Sequence, residues 1–169
     1  MSFNIQFLLS SFESWSSNFI VAYGYFGVLV VSLISSASIV LPIPGFAVII
    51  ASGAFLDPFW VALISGIGFA VGDLTGVLVG KGGRKTLMAK YGEKLKYIEQ
   101  KVKRHGPFLV FFIFAVTPLP DDVSGLFAGL INYDWRKFLL AALLGNTIVS
   151  FMLAYGGYFG FAWLKSLYL

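Results

Sequence analysis

The hydrophobic positions of this chain collect in three long runs that carry almost no charge. The segments 19–41 and 138–164 contain no charged residue, and Asp73 is the only charge in the segment 59–80. An apolar helix needs roughly 20 residues to cross the hydrocarbon of a bilayer, so each run is long enough to span a membrane. The pattern predicts spanning helices over 59–80 and 138–164, whereas the run over 19–41 either crosses fully or forms one long arm of a hairpin.

The composition leads to the same class of protein. Hydrophobic residues make up 58% of the 169 residues and charged residues only 12%, and the mean hydropathy is +0.85. A chain of this size with so little polar surface cannot cover a soluble globule. In the segment 1–17, apolar residues recur at helical spacing without the basic flank and cleavage pattern of a signal peptide, which predicts a helix lying in the membrane interface.

Two proline-broken segments interrupt the apolar pattern. Pro42 and Pro44 precede Gly45, and Pro118 and Pro120 stand in a matching arrangement further along the chain. Two prolines with one residue between them end a helix, because each removes a backbone hydrogen bond and clashes with the preceding turn. Broken backbone is tolerated at membrane depth only where protein or a water-filled cavity surrounds it. Each segment is therefore predicted to be the tip of a re-entrant hairpin or an unwound site within the bundle.

The two broken segments belong to a longer internal repeat. A shift of 76 residues (118 − 42) overlays Pro42 on Pro118 and Gly53 on Gly129. The predicted fold is an all-α polytopic membrane protein with one domain, in which two units of re-entrant hairpin plus transmembrane helix run in opposite orientations. Many secondary transporters use such inverted repeats to build a site near the midplane. The domain covers 1–169, with repeat 1 at about 31–80, an amphipathic connecting helix at 81–106 and repeat 2 at about 107–160.

Positive charge is concentrated between the two repeats. Nine of the twelve basic residues lie in the segment 81–104, opposed there by Glu93 and Glu99. A short loop this basic is retained on the cytoplasmic side. Its apolar residues recur every three or four positions, which predicts a helix that lies on the membrane surface against anionic headgroups. Nucleic-acid binding would explain the basic residues but not this apolar stripe. The residues expected to contact headgroups are Lys81, Arg84, Lys85 and Arg104. Gly82 and Gly83 are expected to cap the end of the preceding helix.

Three carboxylates fall at membrane depth, where a charge is costly and usually faces an interior cavity with a partner. Asp121 and Asp122 are neighbours in the second broken segment, and two ionised neighbours repel, so the pair is predicted to share a proton or a cation. Asp73 is the second candidate for proton coupling. The structural alternatives are that Asp121 and Asp122 cap the following helix, and that Asp73 hydrogen-bonds Asn146 or Thr147 across the bundle.

The glycines indicate where helices pack closely, and the scarcity of cysteine and histidine excludes several kinds of site. Glycine in membrane helices mostly permits close packing. That role is expected of Gly53, Gly72, Gly76 and Gly129. With no cysteine and a single histidine, neither a metal site built on these residues nor a Ser-His-Asp triad is expected. No metal, no cofactor and no enzymatic activity are predicted. An intramembrane aspartyl protease is a weak alternative, because the glycine expected before the Gly72-Asp73 step is missing.

Several motifs, taken in order, resemble a known family. They are Pro42-Ile43-Pro44-Gly45 with Gly53, Gly72-Asp73 with Gly76 and Gly80, Phe111-Phe112, Pro118 and Ala128-Gly129. They resemble the DedA family of integral membrane proteins, also called VTT-domain or SNARE-associated proteins, over about residues 31–160. The resemblance implies lipid movement. Bacterial members are understood as flippases for undecaprenyl phosphate and phospholipid linked to the proton motive force, and eukaryotic relatives as phospholipid scramblases.

Three positions depart from the common bacterial pattern. Phe46 stands where a glutamate is common, and Ala115 and Asp121 stand where arginines are common. Without both arginines the site lacks bidentate phosphate ligands, so the bacterial substrate is not carried over. The chain is more similar to the branch of the family with a Pro-Leu-Pro-Asp-Asp segment.

The expected function is transport of a phospholipid or a polyprenyl-phosphate lipid across a plasma or inner membrane. The expected partners are membrane lipids with protons or cations as coupling ions, without nucleic acid, and self-association into a homo-oligomer is left open. The protein is expected to be multi-pass with the basic loop 81–106 in the cytoplasm. A membrane-organising scaffold without transport is the main alternative.

Overall fold

The structure, a computed structural model, describes residues 24–37, 45–104, 106–117 and 122–168. Within these ranges the chain forms six helices and no strand, so the prediction of an all-α fold is confirmed. The helices are Gly24–Ala37 (α1), Gly45–Phe55 (α2), Pro58–Arg104 (α3), Pro107–Val116 (α4), Asp122–Leu130 (α5) and Trp135–Tyr168 (α6). Outside the described residues lie the segment 1–17 and, from the predicted site, Pro42, Pro44, Pro118, Pro120 and Asp121.

Helices α3 and α6 are, within the described ranges, the two that are long and apolar enough to cross a membrane. Each begins after an aspartate that caps it. The Asp57 carboxylate accepts a hydrogen bond from the backbone N–H of Phe59, and the Asp134 carboxylate accepts one from Arg136, both at 2.9 Å. Such a cap satisfies an unpaired N–H and places negative charge at the positive end of the helix dipole. The two caps therefore define where both spanning helices begin.

The long helices pack antiparallel and form the centre of the bundle. At one end, Val61 and Ala62 of α3 share an apolar cluster with Ala154 of α6. At the other end, Val77 of α3 shares a second cluster with Phe138 of α6. The first cluster is completed by α1 and α2, and the second by α4 and α5. Each end of the α3–α6 pair is thus covered by a different pair of short helices.

Glycines bring the short helices into close contact with the long ones. A methyl group at Gly53 of α2 would overlap the carbonyl oxygen of Ala154 in α6. A methyl group at Gly129 of α5 would likewise overlap the carbonyl oxygen of Val77 in α3. Small residues permit this backbone approach, which is the usual basis of helix association in lipid. Helix α2 therefore packs on α6, and α5 packs on α3.

All four short helices have one end near the middle of the α3–α6 pair. The contacts that place these ends are Thr75 Oγ1 with the Ala37 carbonyl of α1 at 3.4 Å, Gly45 of α2 with the Phe69 ring, Ala115 of α4 with Gly145, and Gly125 of α5 with the Asp73 carbonyl. Both connections that contain the Pro-x-Pro segments therefore start and finish beside the middle of the bundle.

Helix α3 continues well past the end that the sequence predicts. The expected break at Gly80 with a cap at Gly82–Gly83 is wrong, because glycine ends a helix mainly where it adopts a positive φ, and these two do not. The interruption lies at Tyr91, where φ is −132° and ψ is 26°. Arg84 and Glu99, 15 residues apart in the chain, form an ion pair at 3.3 Å. A straight helix would separate them by about 22 Å, so the chain folds back at Tyr91.

Two left-handed residues then turn the chain. Gly106 has a φ of 79° and leads into α4, which begins with Pro107. Glycine adopts this conformation at no steric cost, and proline is preorganised for the first position of a helix. Asn132, with a φ of 54°, follows α5, where the Tyr133 N–H donates to the Ala128 carbonyl at 2.9 Å. These turns set the directions in which α4 and α6 leave their connections.

Candidate functional site: a buried polar cluster

Asp73 lies at the centre of a polar cluster between three helices. Its side chain, on α3, is 2% exposed. The Asn146 amide of α6 donates from Nδ2 to Asp73 Oδ2 at 2.8 Å. The Ser36 hydroxyl of α1 is hydrogen-bonded to the other carboxylate oxygen, Oδ1. We call Asp73, Ser36 and Asn146 the Asp73 cluster. The structure places Asp73 on Asn146, one of the two partners that the sequence suggests, whereas Thr147 lies against Gly66.

Ser36 stands between two acceptors. Its Oγ is 2.9 Å from the Phe69 carbonyl oxygen and also contacts Asp73 Oδ1. A hydroxyl carries one proton and cannot donate to both oxygens at once. If Asp73 carries a proton, its O–H donates to Ser36 Oγ and Ser36 donates to the Phe69 carbonyl. The arrangement therefore accommodates a proton on Asp73 with each of these contacts made as a hydrogen bond.

Helix α1 can approach Asp73 because α3 presents glycine to it. A methyl group at Gly68 would overlap the Ser32 hydroxyl, and one at Gly72 would crowd the Ser36 side chain. Ser36 was not predicted as a site residue from the sequence. The signal was present, because Ser32 and Ser36 on α1, like Gly68 and Gly72 on α3, are four residues apart and so share one helix face.

The Asp73 cluster lies near the middle of the apolar part of the two candidate spanning helices. Along α3, Asp73 is about 12 Å from Lys81, since the helix rises about 1.5 Å per residue over 81 − 73 residues. Along α6, Asn146 is about 16 Å from Trp135 by the same rise over 146 − 135 residues. The hydrocarbon of a bilayer is roughly 30 Å thick. Both side chains therefore lie near the middle of the apolar lengths of the two candidate spanning helices.

Ser150 lies on α6 one turn beyond Asn146, on the same face of the helix. Its side chain is fully buried, and its Oγ has no hydrogen-bond partner within the described ranges. A buried unpaired hydroxyl is unfavourable, and native proteins contain few of them. Ser65, buried on the antiparallel helix α3, is satisfied by donating to the Val61 carbonyl at 2.7 Å. The long helices thus carry further polar groups beyond the Asp73 cluster itself.

The second broken segment is only partly described. Asp122 is the first residue of α5, and Gly125, one turn later, lies against the Asp73 backbone carbonyl. The first turn of α5 is therefore at the depth of Asp73, whereas Asp121 falls outside the described residues. On the first broken segment, Gly45 begins α2 and lies against Ser35 of α1.

Each of the four glycines expected to permit close packing lies against a neighbouring helix. Their contacts are Gly53 with Ala154, Gly72 with Leu33 and Ser36, Gly76 with Gly125 and Leu126, and Gly129 with Val77 and Gly80. Within the described ranges, no three side chains of the kinds that bind metals come together.

The basic residues divide into two groups. Arg84 donates to the carbonyl of Leu130 at the end of α5 and pairs with Glu99, which also accepts from Lys103 at 2.8 Å. The Lys103 hydrogen bond and the positive charges of Lys103 and Arg84 lower the pKa of Glu99 against an opposing effect of partial burial. Arg84 thereby holds the folded-back segment to α3 and α5. Lys85 and Arg104 are exposed, and Lys81 is half-buried.

The folded-back segment also uses part of its apolar stripe against the protein. Val102 packs against the cluster that contains Phe111, beside the partly buried Tyr133. Burial, followed by the charge of Asp134, raises the pKa of Tyr133. The stripe that was expected to face lipid therefore contributes at Val102 to the end of the bundle.

The outer surface of the two long helices is apolar, unlike the Asp73 cluster between them. On α6, large apolar side chains four residues apart are exposed, and α3 shows a similar face. The α6 set is Leu140, Leu144, Ile148 and Met152, and the α3 set is Ile67, Val71 and Leu78. Contiguous apolar surface of this extent around a polar interior indicates contact with lipid. Fold and site together define a helical membrane protein with a buried polar cluster.

Comparison with known proteins identifies the family. Residues 43–159 match the VTT domain, so this chain belongs to the VTT-domain family. The resemblance in the sequence is thereby confirmed. The chain is also similar to the uncharacterized protein MJ0201 of Methanocaldococcus jannaschii, with 30% identity over 151 residues, which cover 83% of this chain and 88% of that protein. No solved structure matches the chain.

Proposed function

We propose that this protein moves a phospholipid or a polyprenyl-phosphate lipid between the two leaflets of a cell membrane. The observation that carries the proposal is the Asp73 cluster, in which three helices bring polar groups together deep in the hydrocarbon. A charged group in the hydrocarbon costs several kcal/mol, so such groups at this depth usually mark a path for a polar substrate or a proton. No chemical change of the lipid is part of this proposal.

An inverted repeat would build this site from two equivalent halves. Two close contacts support it: Gly157 against the Ile50 carbonyl, and Gly80 against the Leu126 carbonyl. A shift of 76 residues relates Ile50 to Leu126, and a shift of 77 relates Gly80 to Gly157. The N-cap aspartates of α3 and α6 are also 77 residues apart (134 − 57). The same packing geometry thus occurs twice, with the partners exchanged between the repeats.

Re-entrant hairpins would place both broken segments at the midplane. Helices α2, α4 and α5 have 11, 10 and 9 residues. At about 1.5 Å per residue each reaches roughly half the hydrocarbon thickness. Helix α1 runs parallel to α3, because Ser32 faces Gly68 and Ser36 faces Gly72. We therefore interpret α1 as one arm of the first hairpin, not as a full crossing, and α4 and α5 as the arms of the second.

Proton coupling is assigned to the carboxylates at this depth. Proton uptake by Asp73 would neutralise the carboxylate and redirect the Ser36 hydroxyl toward the Phe69 carbonyl. We assign the second titrating group to the neighbours Asp121 and Asp122, whose carboxylates would repel each other if both were ionised. Helix α5, which begins at Asp122, lies against the Asp73 backbone through Gly125. A carboxylate that alternates between two hydrogen-bonded states at the junction of the two repeats can link proton movement to a rearrangement of the helices.

The proposed orientation follows the basic segment. Lys81 to Arg104 would lie on the cytoplasmic side of a plasma or inner membrane, because short loops rich in Lys and Arg are usually retained there. The second hairpin then opens to the cytoplasm and the first opens outward. Of the residues expected at headgroups, Lys85 and Arg104 remain exposed and would contact anionic headgroups.

Reconstitution into liposomes tests the function. The protein is inserted into vesicles that carry headgroup-labelled phospholipid in both leaflets, and an impermeant quencher is added outside. A lipid transporter makes the inner-leaflet label accessible, whereas a scaffold without transport leaves it protected even if it reshapes the vesicles. Absence of label exchange for every lipid class tested, with correctly folded protein, would refute the proposal.

The same assay tests the second broken segment. Replacing Asp121 and Asp122 together by Asn retains capping ability but removes titration, so transport should fall roughly tenfold or more and lose its pH dependence. Asp134→Asn, which keeps the cap of α6 outside the predicted path, is the matched control and should behave as the parent does. Normal transport by the double variant between about pH 5 and 8 would reduce the pair to a helix cap.

A further inference from the structure

Two adjoining clefts lie at the end of the folded-back basic segment and share the side chain of Lys101. One has a volume of about 310 Å³ and is lined by Tyr97, Gln100, Lys101 and Arg104. The other has a volume of about 260 Å³ and is lined by Ile98, Lys101, Val102 and Val110. Of the described residues, those that line the first cleft are polar, and those that line the second are apolar apart from the lysine. Nothing in the transport path described above uses either cleft.

The polar cleft has the chemistry of a phosphate site. Lys101 and Arg104 bring two positive charges, and the Tyr97 hydroxyl and the Gln100 amide can donate further hydrogen bonds. Guanidinium and ammonium groups form strong charge-assisted hydrogen bonds with phosphate oxygens. The acidic residue nearest in sequence, Glu99, is bound by Arg84 and Lys103. The described residues that line this cleft thus include two cationic side chains and no carboxylate.

Among the described residues, the basic segment alone lines the polar cleft, whereas the apolar cleft also adjoins α4. Val110 is in the first turn of α4, which begins at Pro107 and leads into the apolar bundle. Ile98 and Val102 face it from the basic segment. Phosphate donors near the surface, followed by an apolar surface further in, match the order of the parts of a phospholipid from the headgroup to the first methylene groups. Free phosphate would use only the polar cleft.

We propose that these two clefts together hold one anionic phospholipid of the cytoplasmic leaflet. Its phosphate binds Lys101 and Arg104, and the start of its acyl chains lies against Ile98, Val102 and Val110. This bound lipid sits where α4 enters the membrane and bridges the basic segment to the bundle. The site is distinct from the Asp73 cluster, and it does not rest on the proposed transport function, because a lipid can be held here without being moved.

Native mass spectrometry of the full chain tests the site. The protein is purified in a neutral detergent with phosphatidylcholine, and phosphatidylglycerol is titrated in. One phosphatidylglycerol should bind before the others, and Lys101→Gln combined with Arg104→Gln should weaken that binding roughly tenfold or more. The matched control is Lys94→Gln with Lys96→Gln, which removes the same charge from exposed positions of the same segment and should leave the first binding event unchanged.

Two further arms separate the sources of the effect. Glycerol 3-phosphate should bind much more weakly than phosphatidylglycerol, and Val110→Ser should weaken the lipid but not the free headgroup. Equal losses in the two double variants, no loss in either, or equal binding of lipid and free headgroup would each overturn the proposal. Circular dichroism checks folding. If the Lys101 and Arg104 double variant does not fold, the single variants Arg104→Gln and Lys96→Gln are compared instead. Arg104→Gln should weaken the first binding event and Lys96→Gln should not, and equal effects would overturn the proposal.

Discussion

At the scale of single residues, the proposed function depends on Asp73 and the groups around it. A carboxylate buried at membrane depth is stable only if its environment supplies donors, and Asn146 and Ser36 do so from two other helices. The Ser36 hydroxyl can donate either to Asp73 or to the Phe69 carbonyl, and a proton on Asp73 would direct it to the carbonyl. Such a group is well suited to a titrating role, because its hydrogen bonds rearrange within contacts that already exist.

Asp73→Asn tests this role. The amide can accept from Asn146 and donate to Ser36, so the fold should persist, as circular dichroism and gel filtration would show. Transport in liposomes should fall roughly tenfold or more and lose its dependence on pH, because the position no longer titrates. The control is Asp57→Asn, which keeps the N-cap of α3 and should transport as the parent does. Transport by Asp73→Asn that retains the pH dependence of the parent would make Asp73 a purely structural residue.

At the scale of the helices, backbone contact through glycine decides which elements pack together. Gly80 and Gly129 allow α5 onto α3, and Gly53 and Gly157 allow α2 onto α6. Gly82 and Gly83 follow in the same helix, but nothing approaches them and the helix runs on. Glycine thus has two different effects within a few residues, depending only on whether another helix is adjacent.

Gly80→Ala and Gly82→Ala separate these effects. The added methyl at position 80 would overlap the Leu126 carbonyl, so the helices must move apart and the free energy of unfolding should drop by roughly 1–3 kcal/mol. At position 82 nothing lies nearby. Alanine there should raise the free energy of unfolding by roughly 0.4–1 kcal/mol, because it favours the helix and makes the unfolded chain less flexible. Thermal unfolding in detergent, followed by circular dichroism, measures both. A stabilising Gly80→Ala would contradict the packing of α5 on α3.

The fold-back of the basic segment should depend on pH through Glu99. The folded state lowers the pKa of this carboxyl below its ordinary value of 4.5, mainly through the hydrogen bond from Lys103. Lys103 lies on the same segment as Glu99, so only the part of the stabilisation that comes from Arg84 couples the fold-back to pH. That part is fully present above about pH 4.5 and is lost as the pH falls through the lowered pKa. Spin labels on cysteines introduced at positions 85 and 96 should move apart over that acid range.

Glu99→Gln should show the longer label distance already at neutral pH, with little further change in acid. The matched control is Glu93→Gln, which removes an exposed carboxylate from the same segment and should keep the pH response of the parent. A label distance that does not change in Glu99→Gln would mean that apolar contacts such as that of Val102 hold the segment without the ion pair.

At the scale of the whole molecule, the exposed apolar surface and the charge distribution together require a membrane orientation. The helix ends at Phe59 and Trp60 carry exposed aromatic rings, which are common at the membrane interface. The basic segment follows at the other end of α3. An arrangement of two opposed hairpins around α3 and α6 would let a site at the middle be reached from either side in turn.

Cysteine labelling tests this topology directly, because the chain contains no cysteine of its own. Phe59→Cys should react with an impermeant maleimide in intact cells, whereas Lys94→Cys should react only after the membrane is opened. Phe59 and Lys94 are both exposed on the protein, so access depends on the side of the membrane. Reaction of both positions from the same side would contradict the proposed orientation and the inverted repeat together.

The sequence by itself determined the class of protein, the helical content and the two broken segments. These features are local. A run of about 20 apolar residues without charge favours a hydrocarbon environment, and proline lacks the N–H that a helix needs. The basic segment and the approximate positions of α3 and α6 follow from the same kind of information, as does the choice of Asp73 as a candidate.

Only the tertiary structure decided which partners these residues have. Asn146 is 73 residues from Asp73 in the chain, and Ser36 is 37 residues away on the other side. No local pattern favours Asn146 over its neighbour Thr147, because the rotation of α6 against α3 makes that choice. Arg84, expected at headgroups, is bound to Leu130 and Glu99 for a similar reason. Contacts between distant segments depend on how whole helices pack, and packing is a property of all the facing side chains at once.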